Sequence, residues 1–196
     1  MPSDPLILGF DTSAAHCAAA LLRGETIVAC MAEEMAKGQA ERLIPLLEEV
    51  LATGEARWSD LSAIGVGVGP GNFTGIRIAV SAARGLALGL GVPAVGVDGF
   101  AARALSCPPG AIPIIPAPRD QVYVRPPGEQ ARLMPRIDAT TFGVLHERAT
   151  PSSIAEAIAR EAAMRWQHTT QPPAPLYLKP ADAAPSRDQA PILIDP

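Results

Sequence analysis

Seven residues constrain this chain more than any other stretch. Gly69-Pro70-Gly71-Asn72-Phe73-Thr74-Gly75 sits between an apolar run, Ala63 to Val68, and a segment of helical composition from about Thr74 to Leu88. Three glycines, a proline and an asparagine in so short a span dictate a tight turn with positive φ angles. A buried strand that turns this sharply into a helix is the basic unit of an α/β fold. It also gathers backbone N–H groups at the helix start. Two readings are open: the turn cradles a phosphate, or it lets two backbones pack closely. The common phosphate fingerprints do not fit. No Lys-Ser/Thr follows Gly75, and no G-x-G-x-x-G can be threaded through Gly65, Gly67, Gly69, Gly71 and Gly75.

The residues before this turn supply the rest of a sheet. Leu6-Ile7-Leu8-Gly9-Phe10 is a short apolar run ending in Asp11-Thr12-Ser13, Cys17 to Leu22 is a second, and Thr26 to Met31 is a third, with Arg23-Gly24-Glu25 as a turn. They read as a three-stranded meander. Gln39 to Thr53 then places Leu43, Ile44, Leu47, Val50 and Leu51 on one stripe opposite Glu41, Arg42, Glu48 and Glu49, the pattern of an amphipathic helix. Gly54 is expected to stop it, and Pro45 to kink it unless the first turn begins later. The helix after the motif mixes Gly75, Ala79, Ala82, Ala83, Gly85 and Gly89 with larger apolar residues, so one side is nearly flat. Such a side packs either under the sheet's own neighbours or against a second protein.

Beyond residue 100 the signals weaken. Pro recurs every few residues from Pro108 onward, Gly128 to Arg148 offers only faint strands, and Thr150-Pro151-Ser152-Ser153 gives a cap and first-turn proline for a helix to about Trp166. Gln171 to Pro196 reads as extended and loosely packed. The expected division is an N-terminal lobe, 1–105, and an abbreviated second lobe with its tail, 106–196.

Apolar residues make up 48% of the 196 and aromatics 4%, so the core is built from Ala, Val, Leu and Ile, and wholesale disorder is excluded. Against 20 acidic side chains stand 16 basic ones, which gives no general field for phosphate backbones or anionic lipid. The start, Met1-Pro2-Ser3-Asp4-Pro5, has no basic targeting region, and the early apolar runs are too short to span a bilayer, so a soluble cytoplasmic protein is expected. Cys17, Cys30 and Cys107 form no C-x-x-C pair and read as small buried hydrophobes. His16, His146 and His168 lack the i, i+4 spacing that sets two imidazoles on one helix face, so no metal is expected. No G-x-S-x-G elbow or nucleophile-and-base grouping occurs. Asp11, at a strand end, reads as a cap for a neighbouring N–H rather than a base.

Three stretches together carry a resemblance: Leu6 to Ser13, Gln39-Ala40-Glu41-Arg42-Leu43-Ile44-Pro45, and the motif turn extended through Ile76-Arg77-Ile78. In order and spacing they resemble the bacterial TsaB family, also called YeaZ. The likeness covers roughly the first hundred residues, and Pro175-Leu176-Tyr177-Leu178-Lys179-Pro180 is similar to a family tail motif. The resemblance implies an actin-like, Hsp70-like and sugar-kinase-like (ASKHA) α/β fold of two related lobes. It also implies a non-catalytic scaffold that pairs with TsaD, the metal-binding enzyme that attaches threonylcarbamoyl to the tRNA adenosine beside the anticodon. A TsaE-like ATPase is reached through that complex, tRNA contact is indirect, and the lone subunit is expected to form a homodimer.

Departures from the family pattern bear on chemistry. Gln39 stands where the family commonly has His, and Ser13 stands where ATP-binding relatives have a glycine, so no cofactor is expected. Pro116-Ala117-Pro118-Arg119-Asp120-Gln121-Val122-Tyr123 replaces the usual Asp-Ala-Arg-x-x-Glu-Val-Tyr entering the second lobe. The expected partner surface lies on the helices 39–53 and 75–89, at Leu43, Leu47, Val50, Arg77, Val80, Ser81 and Arg84. The alternative is an active enzyme of the same fold, a nucleotide-dependent phosphotransferase or a metallopeptidase-like protein, which would bind ATP or a divalent metal by itself.

Overall fold

The computed structural model describes residues 4–178. The expected meander forms as β1 (Leu6–Asp11), β2 (His16–Arg23) and β3 (Thr26–Glu34), antiparallel throughout, with β2 and β3 each reaching further than their apolar runs. Helix α1 (Gln39–Thr53) crosses to β4 (Ala63–Gly67), and α2 (Phe73–Leu90) crosses to β5 (Ala94–Val97). Both β4 and β5 run parallel to β1, completing a sheet of order β3-β2-β1-β4-β5.

A short helix, α3 (Gly99–Ala104), leads into a second sheet made by β6 (Ala111–Ala117), β7 (Gln121–Val124), β8 (Arg132–Pro135) and β9 (Val144–His146). Its order, β8-β7-β6-β9, repeats the first sheet: a three-stranded antiparallel meander, then a crossover to a strand parallel to the first. Two related lobes follow directly from that repeat. The second is abbreviated, because the crossover that is the 15-residue α1 in the first lobe is only the four-residue α4 (Arg136–Ala139) with a 3-10 turn here.

The first sheet is buried on both faces, as a sheet fed by crossover helices must be. Leu8, Phe10, Leu21, Ile64 and Val66 meet Leu43, Leu46, Leu47, Val50, Ile76, Ala79, Val80 and Ala83 of α1 and α2. On the opposite face Ile7, Leu22 and Ala63 meet α5 (Pro151–Arg165) through Ala159 and Ala162. This corrects the expected division at residue 105/106: α5 belongs in sequence to the second segment but lies across the first sheet. Gly9 and Gly65 make that possible, since a Cβ on Gly9 would stand 2.5 Å from the Ala159 backbone nitrogen and one on Gly65 would stand 2.8 Å from the Ala162 methyl. The α5 cap is as expected, with Thr150 Oγ1 accepting from the Ser153 N–H and Pro151 in the first turn.

Other details differ from expectation. Pro45 is accommodated inside α1 on its exposed side, and the helix does begin at Gln39. Gly54 ends α1 at φ −85°, so it is not the left-handed stop; that conformation falls to Glu55 at φ 51°. Gly54 instead leaves room for Leu21, since a Cβ there would lie 2.5 Å from a Leu21 methyl and force that side chain to shift. Helix α2 is long and apolar enough by composition to cross a membrane, but Ile76, Ala79, Val80 and Ala83 are buried under the sheet while Arg77, Ser81 and Arg84 face outward. The segment after Gln171 is better packed than expected up to Leu178: the Leu176 N–H donates to the Val68 carbonyl at 2.8 Å. Lys179-Pro180 and the rest of the expected loose tail lie outside the described residues.

Of the three cysteines only Cys17 is fully buried; Cys30 and Cys107 are half-buried. Burial, helped by the nearby Glu33 carboxylate, pushes the Cys17 thiol up to about 11. At pH 8 roughly a thousandth of it is thiolate, which is the reactive form. Iodoacetamide at that pH is expected to leave Cys17 unmodified in the folded protein and to label it fully in denaturant; mass mapping of peptides checks this. Labelling of native Cys17 at the rate of a free thiol would show that β2 opens readily.

Candidate functional site

The motif turn is built against the end of β1. Asp11 is 2% exposed and its Oδ2 accepts three hydrogen bonds, from the Ser13 N–H at 3.1 Å, the Ser13 hydroxyl at 2.9 Å and His16 Nε2 at 2.7 Å. The expected capping role of Asp11 is present, together with a buried imidazole partner that histidine spacing alone did not reveal. The next residues reach across to the motif: Thr12 Oγ1 donates to the Gly75 carbonyl at 2.7 Å, and the Ser13 carbonyl accepts from the Asn72 N–H at 2.7 Å.

The glycines of the motif are explained by this contact. A Cβ at Gly67 would collide with Asp11 Oδ1, at Gly71 with the Ser13 carbonyl, and at Gly75 with the Thr12 carbonyl. Gly69 also takes φ 92°, the left-handed region that favours glycine, and precedes a cis bond to Pro70. Asn72 caps α2, its side chain accepting from the Gly75 N–H at 2.8 Å. Two of the N–H groups that a phosphate would need, those of Asn72 and Gly75, are therefore used internally. Of the two readings of this turn, close packing is the one its geometry supports.

A cleft of about 1230 Å³ opens between the two sheets beside this turn. Pro70, Gly71, Asn72 and Phe73 of the motif form one side, while Ile115, Pro116, Pro118 and Tyr123 of the second sheet form the other. His16 and Arg103 also line it. Arg103, which the sequence reading did not single out, is half-buried, and desolvation holds its pKa below the usual guanidinium range even though Asp11 and Glu147 pull it upward. Among the described residues no group of three or more His, Cys, Asp or Glu side chains gathers as metal ligands. Gln39 uses its side chain on the Met35 carbonyl at 3.0 Å.

The expected partner-surface residues divide in two. Leu43, Leu47, Val50 and Val80 are buried in the chain's own core, because the apolar stripe of α1 and the inner face of α2 cover the first sheet. They are not available to a partner, and this part of the expectation is corrected. Arg77, Ser81 and Arg84 are exposed on the outer face of α2, with Leu88 further along it. At the start of that face Arg77 stacks over Phe73, 3.9 Å from the ring centroid, and its Nε donates to the Tyr177 hydroxyl at 2.9 Å. Phe73 and Tyr177 pack at 4.9 Å between centroids. No sequence pattern announces this cluster, since a hundred residues separate Arg77 from Tyr177.

A repeated sheet, a cleft between the two copies and a helix springing from a glycine-rich turn define the two-lobed α/β fold of actin, Hsp70 and the sugar kinases. The chain belongs to the TsaB (YeaZ) family: the family model described as TsaD, tRNA N6-adenosine threonylcarbamoyltransferase, matches residues 30–141. It is 37% identical over 92 residues to the tRNA threonylcarbamoyladenosine biosynthesis protein TsaB of Escherichia coli (strain K12), covering 47% of this chain and 39% of that protein. It is likewise 37% identical over 124 residues to the tRNA N6-adenosine threonylcarbamoyltransferase of Jannaschia sp. (strain CCS1), covering 54% of this chain and 34% of that one. The solved structure of YeaZ from Pseudomonas aeruginosa superposes with a TM-score of 0.69 at 25% identity, over 89% of this chain and all of that one. The chain thus spans less than half the length of these two curated relatives.

Proposed function

We propose that this chain is a non-catalytic accessory subunit in the formation of threonylcarbamoyladenosine in tRNA, pairing with a TsaD-like enzyme through the outer face of α2. In this reading a TsaE-like ATPase is reached through the complex, tRNA is contacted indirectly, the protein works in the cytoplasm, and the lone subunit pairs with itself. The observation that carries it is the α2 face itself. One side of the helix is spent on the sheet, while the other presents Arg77, Ser81, Arg84 and Leu88 to solvent beside the Phe73–Arg77–Tyr177 stack. Aromatic and Arg anchors beside small residues suit a helix-on-helix interface. The internal use of the motif turn supports a scaffold rather than a nucleotide enzyme.

The test is capture of the TsaD-like protein from the same cells. Ser81→Arg and Arg84→Glu alter exposed positions, so their thermal midpoints are expected to stay within a few degrees of the parent. Capture of the partner is expected to weaken tenfold or more, a loss of about 1.4 kcal/mol or greater. If both variants capture the partner as well as the parent at matched concentrations, this face is not the interface. Threonylcarbamoyl transfer by the purified chain alone would overturn the non-catalytic reading.

A further inference from the structure

Arg103 is half-buried beside the cleft with little to hold its guanidinium. Its Nη1 donates to the Gly99 carbonyl at 3.2 Å, within its own helix, while its Nε is buried and has no hydrogen-bond partner among the described residues. None of the ion pairs among those residues includes it. Three acids near Arg103 are already engaged, and Glu34 on the cleft wall makes no ion pair with it among the described residues. Asp11 holds Ser13 and His16, Glu147 is taken by Arg136 at 2.7 Å, and Asp98 caps α3 and pairs with Arg125 at 3.3 Å. A guanidinium keeps its charge under all ordinary conditions, so half-burying one without a carboxylate is unfavourable unless something else meets it.

What it meets must fit the cleft. The second-lobe wall opposite the motif is apolar, formed by Ile115, Pro116, Pro118 and Tyr123. The other charged groups lining the cleft are acidic, Glu34 and Glu147, apart from His16, which is held by Asp11. That balance admits a single negative charge and opposes a polyanion such as a nucleotide triphosphate. We infer that the cleft between the lobes is a binding site for a small organic monocarboxylate with an apolar body, its carboxylate seated on the Arg103 guanidinium and its body against Ile115 and Tyr123. A planar fork of N–H donors is the group best shaped for a carboxylate. This site touches Phe73 and Tyr177 at the start of the α2 face but is built on Arg103 and the second sheet, and it stands whether or not that face binds a partner.

The probe is benzoate, with inorganic phosphate as the second arm, titrated into the purified chain and followed by NMR and thermal unfolding. Benzoate is expected to bind saturably, with a Kd in the range of about 1 mM, and to raise the thermal midpoint. Its amide shift changes are expected to cluster at residues 13–16, 99–103 and 115–123. Phosphate is expected to bind at least tenfold more weakly. Arg103→Met should fold with a midpoint equal to or above the parent's, since only the 3.2 Å bond to the Gly99 carbonyl is lost while a half-buried charge is removed, and should bind benzoate at least tenfold more weakly. Arg103→Gln is the second variant should the first fail to fold, and the shift mapping needs no variant at all. No saturable benzoate binding up to about 10 mM, undiminished binding by both variants, shift changes away from the cleft, or phosphate binding as tight as benzoate would each overturn the inference.

Discussion

Gly9→Ala is expected to destabilise the chain by about 3 kcal/mol or more, the upper end of what a single overpacking change does. The added methyl would stand 2.5 Å from the Ala159 nitrogen, 2.8 Å from the Ala155 carbonyl oxygen and 2.8 Å from the Ala159 Cα. All three are backbone atoms of α5, so no side chain can rotate away, and relief requires lifting the helix off β1. That movement would expose Ile7, Leu22, Ala63, Ala159 and Ala162, the cluster that closes this face of the sheet. For a domain of this size the loss corresponds to roughly 6–12 °C in thermal midpoint. Gly85→Ala is the control: it lies on exposed α2 with nothing within 4 Å of its added Cβ, and it should be neutral or gain up to about 1 kcal/mol from reduced backbone freedom in the unfolded chain. A loss below about 1 kcal/mol for Gly9→Ala would mean that α5 is not seated on β1 as described.

The placement of α5 also marks where sequence reasoning stops. The meander, α1, β4 and α2 are local: each announces itself by its own apolar period or turn residues, and each forms within a few residues of its expected bounds. The second sheet is less legible because its strands are four residues or fewer apart from β6, and two of them, β8 and β9, are only partly buried and so carry little alternation. Helix α5 was legible as a helix from Thr150 and Pro151, but its partner was not, since nothing in an Ala-rich stripe says which sheet it covers. The signal was present elsewhere: Gly9 and Gly65 interrupt otherwise bulky strands where a backbone must come close.

The site divides in the same way. The motif turn stands out by composition, yet its choice between phosphate cradle and packing device depended on the Asp11-Thr12-Ser13 backbone more than fifty residues earlier in the chain. Leu43, Leu47, Val50 and Val80 read equally as surface or core, because an apolar stripe does not say which of two neighbours it meets. Arg103 had a faint signal, a lone charge in Gly99-Phe100-Ala101-Ala102-Arg103-Ala104. Its lack of an ion-pair partner among the described residues is a tertiary fact.

Asp11→Ala is expected to cost about 3 kcal/mol, because it removes one oxygen that satisfies three donors in a place water does not reach. The loss has two parts that a double-mutant cycle separates. Asp11→Asn can keep an oxygen at the Oδ2 position for the Ser13 N–H, the Ser13 hydroxyl and His16 Nε2, losing the charge but none of these acceptors, so it should cost only about 1 kcal/mol. His16→Ala leaves the carboxylate buried with Ser13 as its remaining partner, since Asp11 and His16 are 2% and 4% exposed. The cycle of Asp11→Ala with His16→Ala should therefore show a coupling of about 1–3 kcal/mol, measured by denaturant unfolding; additivity within about 0.5 kcal/mol would mean the pair is incidental. The consequence reaches the motif. Ser13 and Thr12 hold Asn72 and Gly75 through the 2.7 Å bonds from the Asn72 N–H and the Thr12 hydroxyl, and the Asp11 carboxylate fixes the turn that presents them. Amide exchange at Asn72 and Gly75 should accelerate in Asp11→Ala beyond the change in global stability, while amides of α5 follow global stability alone. Equal acceleration at both places would show that Asp11 stabilises the whole lobe and does not specifically seat α2 on the end of β1.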